Sequence, residues 1–270
     1  MFIDTHCHLN LIIKKDANIP ITNDMLELSK KLVKEAKSKN VNFIINTGTN
    51  LIESLNSVKI AQTNPEVFAA VGIHPNDITD NWKKELEEIK KLLINKEQNK
   101  IVAIGECGLD YYWPGFNKQT QKDVFRSQLE LALKHNLGLT IHNRSSEDEM
   151  AELLQEYKND GLFGAMHCFN LDKNYADIYM SIGFHLGVAG PISYPKNEIT
   201  REAIKNISLD KLVLETDAPF LPPQELRGTV NLPQNVVIVA AFLAELKNVP
   251  IEDVEKITTQ NATKIFNLPA

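Results

Sequence analysis

The chain has 270 residues, 43% of them hydrophobic, which is enough to bury a large core in one α/β barrel or two smaller domains. Lys and Arg number 29 against 35 Asp and Glu, and the resulting net charge of −6 excludes a general nucleic-acid coating protein. Three cysteines, an odd and sparse set, do not form a disulfide framework.

Short apolar runs alternate with longer amphipathic segments along the chain. The predicted strands cover residues 2–7, 42–46, 67–71, 101–105, 138–142, 162–167, 183–188 and 211–215. The predicted helices cover residues 23–39, 51–63, 82–95, 118–135, 147–157, 172–181, 196–206, 233–247 and 251–265. This alternation predicts one domain over residues 1–270, a (β/α)8 TIM barrel with an extra C-terminal helix.

The alternative architecture is a doubly wound open sheet. Such a sheet ordinarily carries a glycine-rich phosphate turn after its first strand. The end of the first predicted strand instead reads Cys7-His8-Leu9-Asn10, which has no glycine and therefore favours the barrel.

The sequence carries neither a basic leader followed by an apolar segment nor an apolar run of roughly 18 residues. We therefore expect a cytoplasmic protein without membrane contact.

Histidines and carboxylates stand at or just after the predicted strand ends. These residues are His6, His8, His74, Glu106, His142, His167 and Asp217. A single histidine in such a position is more often structural than a ligand, but five of the chain's seven histidines fall here. Because the carboxyl ends of all barrel strands meet at one rim, we expect the seven groups to converge there.

Imidazoles with carboxylates suit Zn, Mn or Co and tolerate Mg. So many ligands exceed the needs of one tetrahedral ion and favour two ions bridged by a carboxylate. Glu106 is the predicted bridge. The set His6, His8 and Asp217 would hold one ion, and His142 with His167 the other. Strand parity turns all three cysteines away from this centre.

The sequence resembles the TatD family of metal-dependent deoxyribonucleases, which belong to the amidohydrolase-like barrels. The resemblance rests on DTHCHL at 4–9, GIHP at 72–75, GECGLDYY at 105–112, IHNR at 141–144, HCF at 167–169, GPISYPKN at 190–197 and ETDAPFLPP at 215–223. It implies that the metal ligands are His6, His8, Glu106, His142, His167 and Asp217. It also implies cleavage of DNA phosphodiester bonds, as a 3′–5′ exonuclease on single-stranded or frayed 3′ ends, by a water that two metal ions activate. We expect a monomer.

One stretch departs from the family pattern. The family has an acidic residue in an Asn-Glu-Pro stretch after the last strand, whereas this chain reads RGTVNLPQNV with Leu232 in that place. We expect this change to affect loop anchoring or the rim of the site rather than the metals.

The predicted catalytic residues are Asp217, Glu106 and His74. Asp217 would orient the attacking water and accept its proton. His74 would contact the scissile phosphate or protonate the leaving oxygen, or alternatively fix the turn before Pro75 by a hydrogen bond.

The predicted substrate contacts beside His74 are two arginines and the aromatic residues after strand four. Guanidinium groups suit phosphate oxygens, which indicates Arg144 and Arg227. Tyr111 and Tyr112, with Trp113, would stack on bases or simply close their loop over the barrel.

Two other functions remain open from the ligand set alone. One is an amidohydrolase that acts on a cyclic amide or a nucleobase. The other is a non-catalytic barrel that binds a metal or a nucleotide.

Overall fold

The computed structural model describes residues 1–14 and 16–269. Eight parallel strands pair in sequence order around one sheet. They are β1 (Phe2–Cys7), β2 (Val41–Thr47), β3 (Val67–Val71), β4 (Ile101–Asp110), β5 (Gly138–Arg144), β6 (Gly164–Met166), β7 (Phe184–Val188) and β8 (Leu212–Leu214). The sheet closes where the chain beyond β8 meets β1: Asp217 N donates to His6 O at 2.9 Å, and His8 N donates to Ala218 O at 2.7 Å. The predicted TIM barrel is confirmed.

The helices surround this sheet. They are α1 (Leu9–Lys14), α2 (Asn23–Ser38), α3 (Leu51–Thr63), α4 (Trp82–Ile94), α5 (Lys118–His135), α6 (Glu147–Gln155), α7 (Lys173–Ile182), α8 (Glu198–Asn206), α9 (Val236–Lys247) and α10 (Ile251–Phe266). Local sequence sets several starts: the side chains of Asn50, Asn117 and Asp172 cap α3, α5 and α7 by accepting backbone N–H bonds. The short α1 was not predicted from the sequence.

Two strand lengths differ from the prediction in ways that shape the site. β4 runs to Asp110 rather than residue 105, because it pairs with β5 as far as Asp110 opposite Arg144. β6 stops at Met166, so His167 and Cys168 follow the strand instead of ending it.

Apolar side chains pack in two layers. The larger one lies between the strands and the outer helices, with Phe125, Ile104 and Leu243 among its fully buried members. The smaller cluster joins alternate strand residues such as Phe68 and Ala70 to Phe266 of α10, so α10 packs against the interior of the barrel. Because α10 covers one end of the barrel, the end formed by the carboxyl ends of the strands is the open mouth.

Among the described residues no single helix is long and apolar enough to cross a membrane. The pair Pro233–Lys247 and Ile251–Phe266 meets that requirement only when both are counted together across a 114° bend.

Candidate metal centre

All seven predicted rim residues come together at the mouth of the barrel. His6 lies within β1 and His8 just after it, while Glu106 and His142 lie within β4 and β5. The others follow β3, β6 and β8. The lining of one cavity of about 740 Å³ includes His8, His74, Glu106, His142, His167 and Asp217. His6 lies directly behind them and is fully buried.

The two histidines of the HCH stretch aim the same ring atom at one point, with their Nε2 atoms 3.2 Å apart. His8 Nδ1 lies 2.9 Å from the carbonyl oxygen of Thr47, which can only accept, so Nδ1 carries the proton of the neutral ring. His6 Nδ1 lies 2.8 Å from the hydroxyl of Thr140. Backbone and hydroxyl partners thus orient both Nε2 atoms as ligands, which fits a cation at their meeting point.

Glu106 stands between two sets of imidazoles. Its Oε2 lies 3.4 Å from the Nε2 atoms of His6 and His8. Its Oε1 lies 3.1 Å from His142 Nδ1 and 3.5 Å from His74 Nε2. One oxygen therefore faces each set, which is the arrangement that a bridging carboxylate requires.

Asp217 completes the first set. Its Oδ1 lies 3.3 Å from His8 Nε2, 3.8 Å from His6 Nε2 and 3.7 Å from His167 Nε2. The backbone of Asp217 is left-handed, with φ +58°, a conformation rare for a residue with a side chain. Buried Asp4 supports this backbone by accepting bonds from the N–H and hydroxyl of Thr216.

His167 lies on the same side as the first set. Its ring stacks on that of His6 with centroids 3.6 Å apart. Its Nδ1 lies 2.8 Å from Oε1 of buried Glu215, which orients Nε2 toward Asp217. Glu215 is therefore a positioning residue for His167.

His142 is held by a carboxylate that the sequence analysis missed. His142 Nε2 lies 3.1 Å from Asp110 Oδ2. Asp110 in turn accepts from Asn76 Nδ2 at 2.8 Å and from the N–H of Tyr112 at 2.9 Å. The signal was available in GECGLD: Asp110 follows Glu106 by four residues, so it shares the strand face if β4 continues that far.

In the part of the chain that the structure describes, three groups have ligand atoms within 4.8 Å of one another: His6 with His8 and Glu106, His74 with Glu106 and His142, and His6 with His167 and Glu215. His142 and His167 fall into different groups, so the sharing of one ion by these two residues stays a prediction.

His74 faces Glu106 in a different protonation state from His8. The N–H of Asn76 donates to His74 Nδ1 at 3.1 Å, so this nitrogen is unprotonated. Burial lowers the pKa of His74 to about 3, so the ring is neutral and its proton lies on Nε2. His74 therefore offers a hydrogen-bond donor to the cavity, and the turn-fixing bond that was its alternative role is also present.

Protons on the histidine rings balance the negative charge of the buried carboxylates at this centre. Burial raises the pKa of Glu106, but the imidazole groups around its two oxygens outweigh burial and hold the pKa well below its usual range. Burial lowers the pKa of His8, but contacts with Asp217 and Glu106 raise it to about 10. For His167, Glu215 and Asp217 outweigh burial and raise the pKa to about 9. Imidazolium protons thus supply the positive charge that bound cations would supply.

The predicted substrate residues divide into two groups. Arg144 lines the cavity, and its guanidinium carbon lies 3.7 Å from the ring centroid of Tyr112 and 5.5 Å from that of Trp113. Both rings are half exposed. This trio forms an exposed cationic and aromatic edge at the mouth.

Tyr111 and Arg227 lie differently. The ring of Tyr111 is buried and stacks on Phe116 with centroids 5.0 Å apart. Its burial favours the alternative role of closing the loop over the barrel, and its contact with substrate stays a prediction. The guanidinium carbon of Arg227 lies 4.6 Å from the ring centroid of Tyr194, and Tyr194 lines the cavity. Arg227 therefore contacts a residue of the cavity wall.

One cysteine departs from the parity prediction. Cys7 and Cys107 are fully buried, but Cys168 is partly exposed and lines the cavity. Its backbone is left-handed, with φ +45°, so strand alternation no longer applies beyond β6.

A parallel barrel with clustered imidazoles and carboxylates at its carboxyl-end mouth is typical of a metal-dependent hydrolase. The sequence profile of the family described as TatD related DNase matches residues 3–267. The chain belongs to this family.

Known relatives agree with this assignment. The metal-dependent hydrolase YabD of Bacillus subtilis is 35% identical over 268 residues, covering 99% of this chain and all of YabD. The crystal structure of YjjV, a TatD homologue from Escherichia coli K12, superimposes with a TM-score of 0.87 at 28% identity and covers 99% of this chain and 98% of YjjV. A TatD family hydrolase from Entamoeba histolytica gives a TM-score of 0.81 at 22% identity, covers 98% of this chain and 97% of its own, and shows the common fold.

Proposed function

We propose that this hydrolase cleaves phosphodiester bonds of DNA, removing nucleotides from single-stranded or frayed 3′ ends with the help of two divalent cations. The observation that carries the proposal is Glu106, with one oxygen toward His6 and His8 and the other toward His142, at the floor of a cavity edged by Arg144. We also expect a cytoplasmic monomer.

The residues present fit two cations. The set His6, His8, Asp217 and Glu106 would hold one of them, through nitrogen and carboxylate oxygen atoms. Glu106 with His142, and His167 across the cavity, would hold the other once the imidazolium protons have left. Bound divalent cations lower the pKa of a water and neutralise phosphate charge, which an acidic chain otherwise lacks.

The protein's own groups then have separate tasks. Asp217 lies at the cavity floor. Burial raises its pKa, but contacts with His167 and His8 outweigh burial and lower the pKa. Asp217 is therefore a carboxylate that can orient a water and accept its proton. His74 presents Nε2–H, which can donate to a phosphate oxygen or to the leaving oxygen. The exposed guanidinium of Arg144 can donate to a second phosphate oxygen.

The aromatic edge supports a single strand as substrate rather than an intact duplex. Tyr112 is 55% exposed and Trp113 52%, which is unusual for large rings on a free surface. Stacking on such rings does not depend on base identity, so it suits an enzyme that removes successive nucleotides of any sequence.

The proposal is tested with purified protein loaded with Mg, Mn, Zn or Co and single-stranded DNA labelled at its 5′ end. We expect a ladder of products shortened from the 3′ end, and no ladder with Asp217→Asn. A matched substrate with a blocked 3′ terminus should stay intact. DNA left whole with every metal, together with turnover of a cyclic amide, would replace this proposal by the amidohydrolase alternative.

A further inference from the structure

A second cavity of about 740 Å³ adjoins the catalytic one. Asn76 and Trp113 line both cavities and form the partition between them. Both tryptophans of the chain lie in its wall, Trp82 from the start of α4 and Trp113 from the loop after β4. None of the catalytic tasks proposed for the metal centre uses Trp82 or this space. We call it the aromatic cavity.

The lining of the aromatic cavity is aromatic and uncharged apart from one carboxylate. Three rings contribute, those of Trp82, Trp113 and Phe116, and Phe116 is held in place by its stack on Tyr111. Amide and hydroxyl side chains add hydrogen-bonding groups. Over residues 1–14 and 16–269 the lining contains no lysine or arginine, and it includes Asp80. This chemistry disfavours a phosphate and suits a flat heterocycle with polar edges.

Because the two cavities share a partition, a DNA strand bound in the catalytic cavity would lie next to the aromatic cavity. Arg144 lies against the rings of Tyr112 and Trp113, so a backbone phosphate held by Arg144 would run past Trp113. A base attached to that backbone would then meet rings on the far side of the partition.

We infer that the aromatic cavity binds a nucleobase of the DNA strand whose scissile phosphate lies at the metal centre. The inference rests on the proposed function and adds a base-binding subsite to it. The base stacks against Trp82 and Trp113, and because stacking uses the flat face that every base has, the subsite is tolerant of base identity.

The test uses Trp82 as its own reporter. The Trp113→Phe variant keeps a ring in the partition and leaves Trp82 as the single tryptophan of the Mg-loaded protein. It is titrated with a single-stranded DNA hexamer whose phosphorothioate linkages resist cleavage, and with a matched hexamer of tetrahydrofuran abasic residues. We expect the first hexamer to change Trp82 fluorescence saturably, and the abasic hexamer to leave it unchanged.

Affinity supplies a second measurement. Anisotropy of a 5′-fluorescein hexamer should show about tenfold weaker binding by Trp82→Ala, as expected for one lost stacking partner. The conservative Trp82→Phe should bind within about twofold of the wild type, since a ring remains. The abasic hexamer should bind equally to all three proteins. Thermal melting shows which variants fold. If Trp82→Ala does not fold, the fluorescence titration of Trp113→Phe decides whether the base subsite exists.

The outcomes separate the two proposals. A hexamer that binds and is cleaved in its phosphodiester form while Trp82 fluorescence stays constant overturns the base subsite alone. Equal fluorescence changes with the abasic hexamer overturn it as well. DNA that neither binds nor is cleaved removes the proposed function and the subsite together.

Discussion

The two ends of the barrel are built from the same eight strands and have opposite chemistry. At the amino end, Ile45 and Phe68 pack against Ile265 and Phe266 of α10 in an apolar cluster. At the carboxyl end the strands lead into buried imidazoles and carboxylates such as Glu106. Burying a charge is costly unless it is paired, whereas burying apolar surface stabilises the fold. The comparison indicates that one end supplies stability and the other carries the chemistry.

The largest expected effect comes from the polar end. Glu106→Gln keeps the shape of the side chain but removes the charge that faces both imidazole sets, so we expect kcat/KM to fall by about 10³-fold. Bound metal, measured on the dialysed protein, should fall with it. The exposed Glu225→Gln is the control and should retain wild-type activity. A Glu106→Gln enzyme with more than a tenth of normal activity would refute the bridging role.

The matching change at the apolar end should act on stability instead. Phe266 is 1% exposed, and Phe266→Ala should lower the free energy of unfolding by about 3–5 kcal/mol through lost burial and a cavity. Urea denaturation measures this loss. We expect kcat/KM per folded molecule to stay unchanged. Ile94, which is 76% exposed, provides the control, since Ile94→Ala should cost less than about 0.5 kcal/mol. A large fall in kcat/KM for Phe266→Ala would show that the two ends are coupled.

An intermediate effect on activity is expected from Asp110, which holds His142 in place at the polar end. Asp110→Asn keeps the bond from Asn76 within reach but removes the charge beside His142, so metal affinity or kcat/KM should fall by about 10- to 100-fold. A metal titration monitored by calorimetry measures the metal affinity, and kinetic assays at saturating metal measure kcat/KM. Activity within twofold of the wild type would mean that Asp110 only anchors its loop.

The pH dependence of metal binding tests the charge balance at the polar end. In the metal-free protein the pKa of His8 is about 10 and that of His167 about 9, so both carry protons at neutral pH that a metal must displace. Raising the pH toward 9 weakens this competition, so affinity should rise by about tenfold per pH unit for each displaced proton. Calorimetry in buffers of different ionisation enthalpy should record proton release at pH 7. Binding that is independent of pH would contradict the protonated states of His8 and His167.

The smallest effect is expected at the position that departs from the family pattern. Asn231 holds the loop after β8 by donating to the carbonyl oxygens of Thr216 and Phe220, and this anchor does not involve the Leu232 side chain. Leu232→Glu should therefore change kcat/KM by less than about threefold, in the range of a surface substitution. A tenfold change on DNA would place residue 232 in substrate binding.

Much of this molecule was determined by the sequence alone. Alternating apolar runs and helical segments predict eight βα units, because strand and helix periods differ and can be read locally. The identity of the rim residues also follows, since every barrel strand delivers its carboxyl end to the same mouth.

Only the tertiary structure decided how each of these residues is used. His8 and His74 look alike in the sequence, but Thr47 O accepts from Nδ1 of one ring and Asn76 N–H donates to Nδ1 of the other, so this nitrogen is protonated in His8 and unprotonated in His74. Asp110 joined the site because β4 continued along β5, and Cys168 turned into the cavity because its backbone left the strand conformation. The roles of these groups depend on hydrogen-bond partners and backbone angles set by packing, which a local residue pattern does not contain.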